Sequence, residues 1–258
     1  MPDYVPGHSL LAGRTVVVTA AAGAGIGAAV VRRCLEEDAR AVVLGDVHER
    51  RLDAARDELR AAFGADRVAA VRCDVTDEHD VEGLFAAADA FGGVDVLVNN
   101  AGLGGTASIL EMTDDQWSRV LDITLTGTMR CTRAAARRMV GAGTRGVIVN
   151  NASVVGWRAQ EGQAHYAAAK AGVMALTRCT ALDLASHGIR VNAVAPSLAM
   201  HPFLAKVTSD EVLASLTARE AFGRAAEPWE VANVMVFLAS DYSSYLTGEV
   251  VSVSSQHP

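Results

Sequence analysis

Seven short runs rich in β-branched residues divide this chain, and the stretches between them carry a helical period. The runs are residues 15–19 (TVVVT), 41–44 (AVVL), 68–71, 94–98 (VDVLV), 146–150 (GVIVN), 190–194 (RVNAV) and 249–253 (EVVSV). They show little polar alternation, as strands covered on both faces do. The segments between them read as helices at 26–38, 49–63, 77–91, 114–140, 163–187 and 228–240. In the first, Ile26, Val30 and Cys34 recur every four residues, with Val31 and Leu35 beside them. Pro228 falls in a first turn, where its missing N–H leaves nothing unpaired. Repeated strand–helix–strand units call for parallel pairing through right-handed crossovers. The expectation is one α/β domain over 1–258, a Rossmann-type, doubly wound, parallel seven-stranded sheet flanked by helices. Residues 196–226 fit the alternation least well and read as a long connection forming a substrate lid.

Composition narrows the function classes. Half the residues are hydrophobic and 21% are charged, which excludes a disordered chain. The net charge is -7 with Lys and Arg scattered, so no basic stripe invites nucleic acid. No uncharged apolar run reaches the 18 or so residues that span a bilayer, so no membrane partner is expected. Cys34, Cys73, Cys131 and Cys179 lie far apart without ligand-like spacing and read as free thiols. The N-terminus lacks a basic, then apolar, leader pattern. A cytoplasmic protein is expected, with no bound metal.

The first strand runs into Ala20-Ala21-Ala22-Gly23-Ala24-Gly25-Ile26-Gly27 and then a helix. Such a turn lets the backbone approach a pyrophosphate, while the helix N-terminus offers free N–H groups and a positive dipole end. Alone, it could equally be a tight turn without a ligand. Asp46 follows the second strand, 21 residues after Gly25. A carboxylate there can accept from ribose hydroxyls and would repel a 2′-phosphate, which favours NAD; an N-capping role is the alternative. Three more clusters end strands: Asp74-Val75, Asn99-Asn100-Ala101-Gly102, and Asn151-Ala152-Ser153. Tyr166 follows Ser153 by thirteen residues, and Lys170 lies four further on, one turn along the same helix face.

On these marks, in this order, the chain resembles the short-chain dehydrogenase/reductase family from Gly13 to about Ser254. The resemblance implies alcohol/ketone chemistry with a nicotinamide cofactor. It implies Ser153, Tyr166 and Lys170 as the catalytic set. Gly23, Gly25, Ile26, Gly27, Asp46, Asp74, Val75, Asn100, Ala101 and Gly102, with Tyr166 and Lys170, would line the cofactor. For Asp74, capping a turn is the alternative. A phenol has an ordinary pKa of about 10, and acting as a base near neutrality asks for roughly 4 kcal/mol of help. A neighbouring ammonium and a cationic nicotinamide ring would supply it. Pairing through the long helices into a homotetramer or homodimer is also implied.

The pattern departs from the family at three places. Ala20 stands where the first glycine usually does, and the turn is one residue longer. Thr124, in Asp122-Ile123-Thr124-Leu125, replaces an Asn thought to hold a water; a hydroxyl could still hold one. Pro196-Ser197 replaces Pro-Gly, and His201 stands where a Thr often meets the carboxamide. His201 reads either as that contact or as an exposed lid residue, and His165 as structural or at the rim.

The substrate is less legible. Leu198, Met200, Phe203, Leu204, Val207, Leu213, Leu216 and Phe222, with Trp157, suit a large apolar substrate or simply a core. Arg158 and Lys206 could meet an anionic tail such as a coenzyme A thioester. Longer runs such as VNNASVVGWRAQ and LASDYSSYLTGEVVSVSSQHP resemble a branch of the family that oxidises a steroid-derived hydroxy-methyl-indanone carboxyl-CoA. Two rival readings are an NADPH-dependent 3-oxoacyl thioester reductase and a non-catalytic NAD-binding protein. The C-terminal tail could reach either a neighbour or the pocket.

Overall fold

The computed structural model describes residues 3–200 and 210–256. Seven strands form one sheet among them: β1 (Thr15–Thr19), β2 (Ala41–Asp46), β3 (Val68–Arg72), β4 (Val96–Asn99), β5 (Val147–Asn151), β6 (Arg190–Pro196) and β7 (Val250–Val253). Their order is β3-β2-β1-β4-β5-β6-β7, and every neighbouring pair is parallel. The expected sheet is therefore the observed one. The order reverses between β1 and β4, and ligands of open α/β sheets sit at such a switch, outside the strands' carboxyl ends.

Register explains the absence of polar alternation. Val17 aligns with Val43 and Leu97, and Leu97 with Ile148. This row packs under α3 (Glu78–Asp89), α5 (Gly127–Ala142) and α6 (Ala164–Ala185), through residues such as Phe85, Met139 and Ala181. The alternate row, Val16, Val42 and Val96, faces α1 (Ile26–Glu36), α2 (Glu49–Phe63) and α8 (Pro228–Ala239). Both faces are covered, so both alternating positions must be apolar. Gly45 shows how closely the layers approach. A Cβ there would lie 2.8 Å from the Leu84 side chain of α3.

The expected helix 114–140 is not continuous. It comprises α4 (Asp114–Leu121), a π-helical turn over Asp122–Thr126, and α5. Two local contacts account for the insertion. Gly127 abuts Val75, where a Cβ would come within 2.6 Å of Val75 Cγ2, and Thr124 is stapled to the backbone of Leu103. A π-turn adds one residue per turn and lets the chain meet both constraints. The long connection after β6 carries α7 (Asp210–Ala218), so it is partly helical as expected. His201, Phe203, Leu204, Lys206 and Val207 lie outside the described residues, so the readings of these side chains have no structural counterpart here.

Candidate active site

The turn after β1 is built for close approach. Gly25 caps α1 without any side-chain hydrogen bond, and the first turn of α1 holds no acidic residue. Its terminal N–H groups are thus left for an anion. Gly23 takes φ +105°, and a Cβ on Gly27 would sit 2.2 Å from Ala20 O and 2.5 Å from Asn100 Nδ2. An uncapped helix end in a cradle that Cβ atoms would fill fits a dinucleotide pyrophosphate. Ala20, the missing glycine, still adopts φ 49°, the left-handed conformation that a glycine would occupy freely. The backbone demand survived the substitution.

Hydrogen bonds knit the strand ends together. Thr19 Oγ1 accepts from the N–H groups of Asn100 and Ala101, both at 3.0 Å. Asn100 Nδ2 donates to Ala20 O at 3.1 Å, and Asn100 Oδ1 accepts from Asn151 Nδ2 at 2.9 Å. Asp46 is only 6% exposed. Its carboxylate accepts from Ala22 N at 3.0 Å and His48 N at 2.9 Å, so it anchors the turn to β2. Burial pushes its pKa up, and the backbone donors pull the other way. Asp74 accepts from Thr76 N (2.9 Å) and Thr76 Oγ1 (2.7 Å), the turn-capping alternative. The Thr76 backbone donor leads in holding its carboxyl below the usual range. Val75 is buried beside Gly127.

Ser153 follows the carboxyl end of β5, and Tyr166 and Lys170 stand in the first two turns of α6. The Ser153 hydroxyl acts on the Tyr166 phenol and favours its ionised form, and Lys170 Nζ lies 5.6 Å from the Tyr166 ring centroid. Lys170 is 3% exposed and donates to Asn151 O. Its ammonium also borders Gly102, where a Cβ would be 3.4 Å away. The sequence-predicted residues from the turn, β4, β5 and α6 therefore converge on one edge of the sheet.

In the chain without cofactor, burial raises the pKa of the Tyr166 phenol, against a lowering influence of Ser153. Burial likewise lowers Lys170 to about 8. Removing both groups from water penalises both charges, so the chain alone does not make Tyr166 a base. The Thr124 hydroxyl accepts from Leu103 N at 3.0 Å and donates to Leu103 O at 3.3 Å, which leaves one lone pair for a water. It fixes the loop that follows Gly102 above the lysine.

Sequence reasoning missed a buried polar chain behind the site. Asn99 Nδ2 donates to Thr132 Oγ1 (3.0 Å) and Asn150 Oδ1 (2.9 Å), and Asn150 Nδ2 donates to Thr177 Oγ1 (2.9 Å). An Asn within each of two apolar runs was the only available signal. His165 is buried, with Nδ1 unpartnered and Nε2 against Gly105. A cavity of about 120 Å³ opens beside Ser153, lined by Val154, Arg158, Leu198, Leu216 and Gln256 among others. Gln256 shows that the C-terminal tail reaches the pocket. Trp157 is half exposed, and Phe222 lies largely in solvent, which removes Phe222 from the apolar lining expected of that segment. Among the described residues, no cluster of His, Cys, Asp and Glu could hold a metal, and no helix is long and apolar enough to cross a membrane.

Comparison with known proteins gives the same picture. A family model described as enoyl-(acyl carrier protein) reductase matches residues 20–255. The chain is 61% identical over 258 residues, covering 100% of this chain and 98% of the relative, to (5R,7aS)-5-hydroxy-7a-methyl-1-oxo-2,3,5,6,7,7a-hexahydro-1H-indene-carboxyl-CoA reductase of Mycobacterium tuberculosis. It is 47% identical over 242 residues, 93% of this chain and 94% of the relative, to cis-4-hydroxycyclohexanecarboxylate dehydrogenase of Sinomonas cyclohexanicum. The crystal structure of a short chain dehydrogenase from Mycobacterium smegmatis superposes with a TM-score of 0.88 at 56% identity, covering 100% of this chain and 98% of that one. Shared fold, high identity and near-complete coverage lead to one assignment: this chain belongs to the short-chain dehydrogenase/reductase family of oxidoreductases.

Proposed function

We propose that this protein interconverts a secondary alcohol and a ketone with NAD, on a steroid-derived hydroxy-indanone ring carrying a carboxyl-CoA group. The observation that carries the reading is the Ser153–Tyr166–Lys170 group at the sheet's carboxyl edge, beside the uncapped end of α1. NAD, when bound, supplies the hydride acceptor. Tyr166 takes the proton from the substrate hydroxyl in oxidation and returns it in reduction. Ser153 hydrogen-bonds the substrate oxygen as its charge changes. Lys170 holds an ammonium near the phenol and is oriented by donating to Asn151 O. Gly23, Gly25, Ile26 and Gly27 would receive the pyrophosphate, Asn100, Ala101 and Gly102 would line the cofactor, and Asp74 with Val75 would flank the adenine.

Asp46 supports NAD over NADP, since a 2′-phosphate would bring a second anion to a buried carboxylate. The substrate class rests on the 61% identical relative, whose printed name gives that acyl-CoA. Leu110 and Leu182, 92% and 79% exposed, support association into a homodimer or homotetramer. A cytoplasmic site of action completes the proposal. The test is oxidation of the hydroxy-indanone carboxyl-CoA with the oxidised cofactors NAD and NADP, compared with Tyr166→Phe. NAD-specific oxidation that falls at least about 100-fold in Tyr166→Phe is expected. Near-unchanged turnover in that variant refutes the assignment, and a preference for NADP refutes the role of Asp46.

A further inference from the structure

We propose that Arg158, oriented by Gln256 and Glu220, recognises an acyl oxygen on the substrate ring and thereby sets specificity. This deepens the reading just given and rests on it. Arg158 and Ser153 line the same cavity, so a substrate oxygen held at Ser153 leaves the far end of a ring facing the guanidinium. A guanidinium presents a rigid fork of donors that matches a carboxylate or a thioester carbonyl. Among the described residues, no carboxylate forms an ion pair with Arg158.

Its orientation comes from a relay. Arg158 Nη1 donates to Gln256 Oε1, and Gln256 Nε2 donates to Glu220 Oε1 at 2.8 Å. The two neighbours fix the amide, because a flipped amide would turn N–H groups toward the guanidinium. Glu220 is 5% exposed and also accepts from Ser255 Oγ (2.7 Å) and Leu198 N (3.3 Å). One buried carboxylate thus joins the lid connection, the segment after β6 and the C-terminal tail. Ala221 N donates to Ser255 O at 2.9 Å and adds a second tie. Glu220 is a positioning residue: its charge is balanced by Arg158 through an amide, so Arg158 keeps donors for a ligand instead of collapsing onto a direct ion pair. Arg158 N donates to Val154 O (3.0 Å), which couples the relay to the turn carrying Ser153.

The test combines binding and kinetics on the full chain. Trp157 emission, referenced to Trp157→Phe, follows titration with cyclohexanecarboxylate, cyclohexanol and free coenzyme A. Kinetics compare cis-4-hydroxycyclohexanecarboxylate with cyclohexanol. Arg158→Gln is expected to weaken cyclohexanecarboxylate binding by about 10- to 100-fold, the usual worth of a hydrogen bond to a charged group. Arg158→Lys recovers part of it. Glu220→Gln shifts KM for the carboxylate alcohol more than kcat, and cyclohexanol changes little in any variant. Carboxylate binding that is absent, or equal in Arg158→Gln and the unmutated protein, overturns the proposal. So does a loss confined to coenzyme A, which would assign Arg158 to nucleotide phosphates. Arg158-dependent binding without oxidation of either alcohol would sink the dehydrogenase reading and leave the recognition site standing.

Discussion

Replacing Lys170 with Met is expected to stabilise the protein while abolishing its chemistry. The side chains are similar in length, so packing under Gly102 and against Tyr166 is nearly conserved. Lys170 is almost wholly buried, and burial lowers its pKa from 10.5 to about 8. That drop corresponds to about 3 kcal/mol of penalty for carrying the charge in the folded state. Met removes the penalty but strands Asn151 O, which returns about 1–2 kcal/mol. The net gain at pH 7 is about 1–2 kcal/mol, or roughly 2–6 °C in Tm for a domain of this size. The pH dependence gives the argument its sign. Below pH 8 the lysine is protonated in both states and the full penalty applies. Between about 8 and 10.5 the folded chain releases the proton while the unfolded chain keeps it, so the unmutated protein gains stability as pH rises. Lys170→Met lacks this gain. Its advantage should shrink steadily and reverse by about pH 10.5, where Asn151 O alone is lost. Circular dichroism melts of both proteins from pH 7 to 10.5 read the difference. A variant destabilised at pH 7, or a difference independent of pH, refutes the reasoning.

Three further outcomes follow from named contacts. Gly27→Ala puts a methyl 2.2 Å from Ala20 O, which must displace the start of α1; NADH affinity, read by fluorescence titration, should fall at least about 10-fold. Ala20→Gly relieves a left-handed backbone at about 1–2 kcal/mol but loosens the unfolded chain, so the urea midpoint should rise by the equivalent of about 0.5 kcal/mol. Arg33 and Glu37 form a buried ion pair that also holds the N-terminal segment through His8 N and Leu10 N. Glu37→Gln should cost about 3–5 kcal/mol in denaturant unfolding. Burial pushes the Glu37 carboxyl up, but Leu10, His8 and Arg33 together hold it below the ordinary value of 4.5. Its contribution is therefore complete above that value and lost as pH falls below it, a loss the variant should not show.

Much of this was legible because period and spacing are local. TVVVT, AVVL and GVIVN announced strands buried on both faces, and the alternation alone implied the parallel sheet. Tyr166 and Lys170 declared a shared helix face by their separation of four. What escaped was set by tertiary contact. Nothing in the sequence places a π-turn at Asp122–Thr126, because its cause is Gly127 against Val75 and Thr124 against Leu103. Glu220 and Gln256 are 36 residues apart and join only because the connection after β6 and the tail meet. The ammonium beside Tyr166 was legible from spacing, whereas the burial that raises the phenol's pKa in the chain without cofactor was not. Ala20 shows the opposite case: a substitution that obscured a motif without changing the backbone it encodes.

The sharpest measurement is a tyrosinate titration by ultraviolet difference absorbance, with and without NAD, using Tyr166→Phe to subtract Tyr4, Tyr242 and Tyr245. Without cofactor, the Tyr166 phenol should ionise above 10, as burial dictates. With NAD bound, ionisation should move well below 10 in the unmutated protein, and much less in Lys170→Met. A phenol whose ionisation is unmoved by NAD would contradict the claim that Tyr166 is the proton-transferring group.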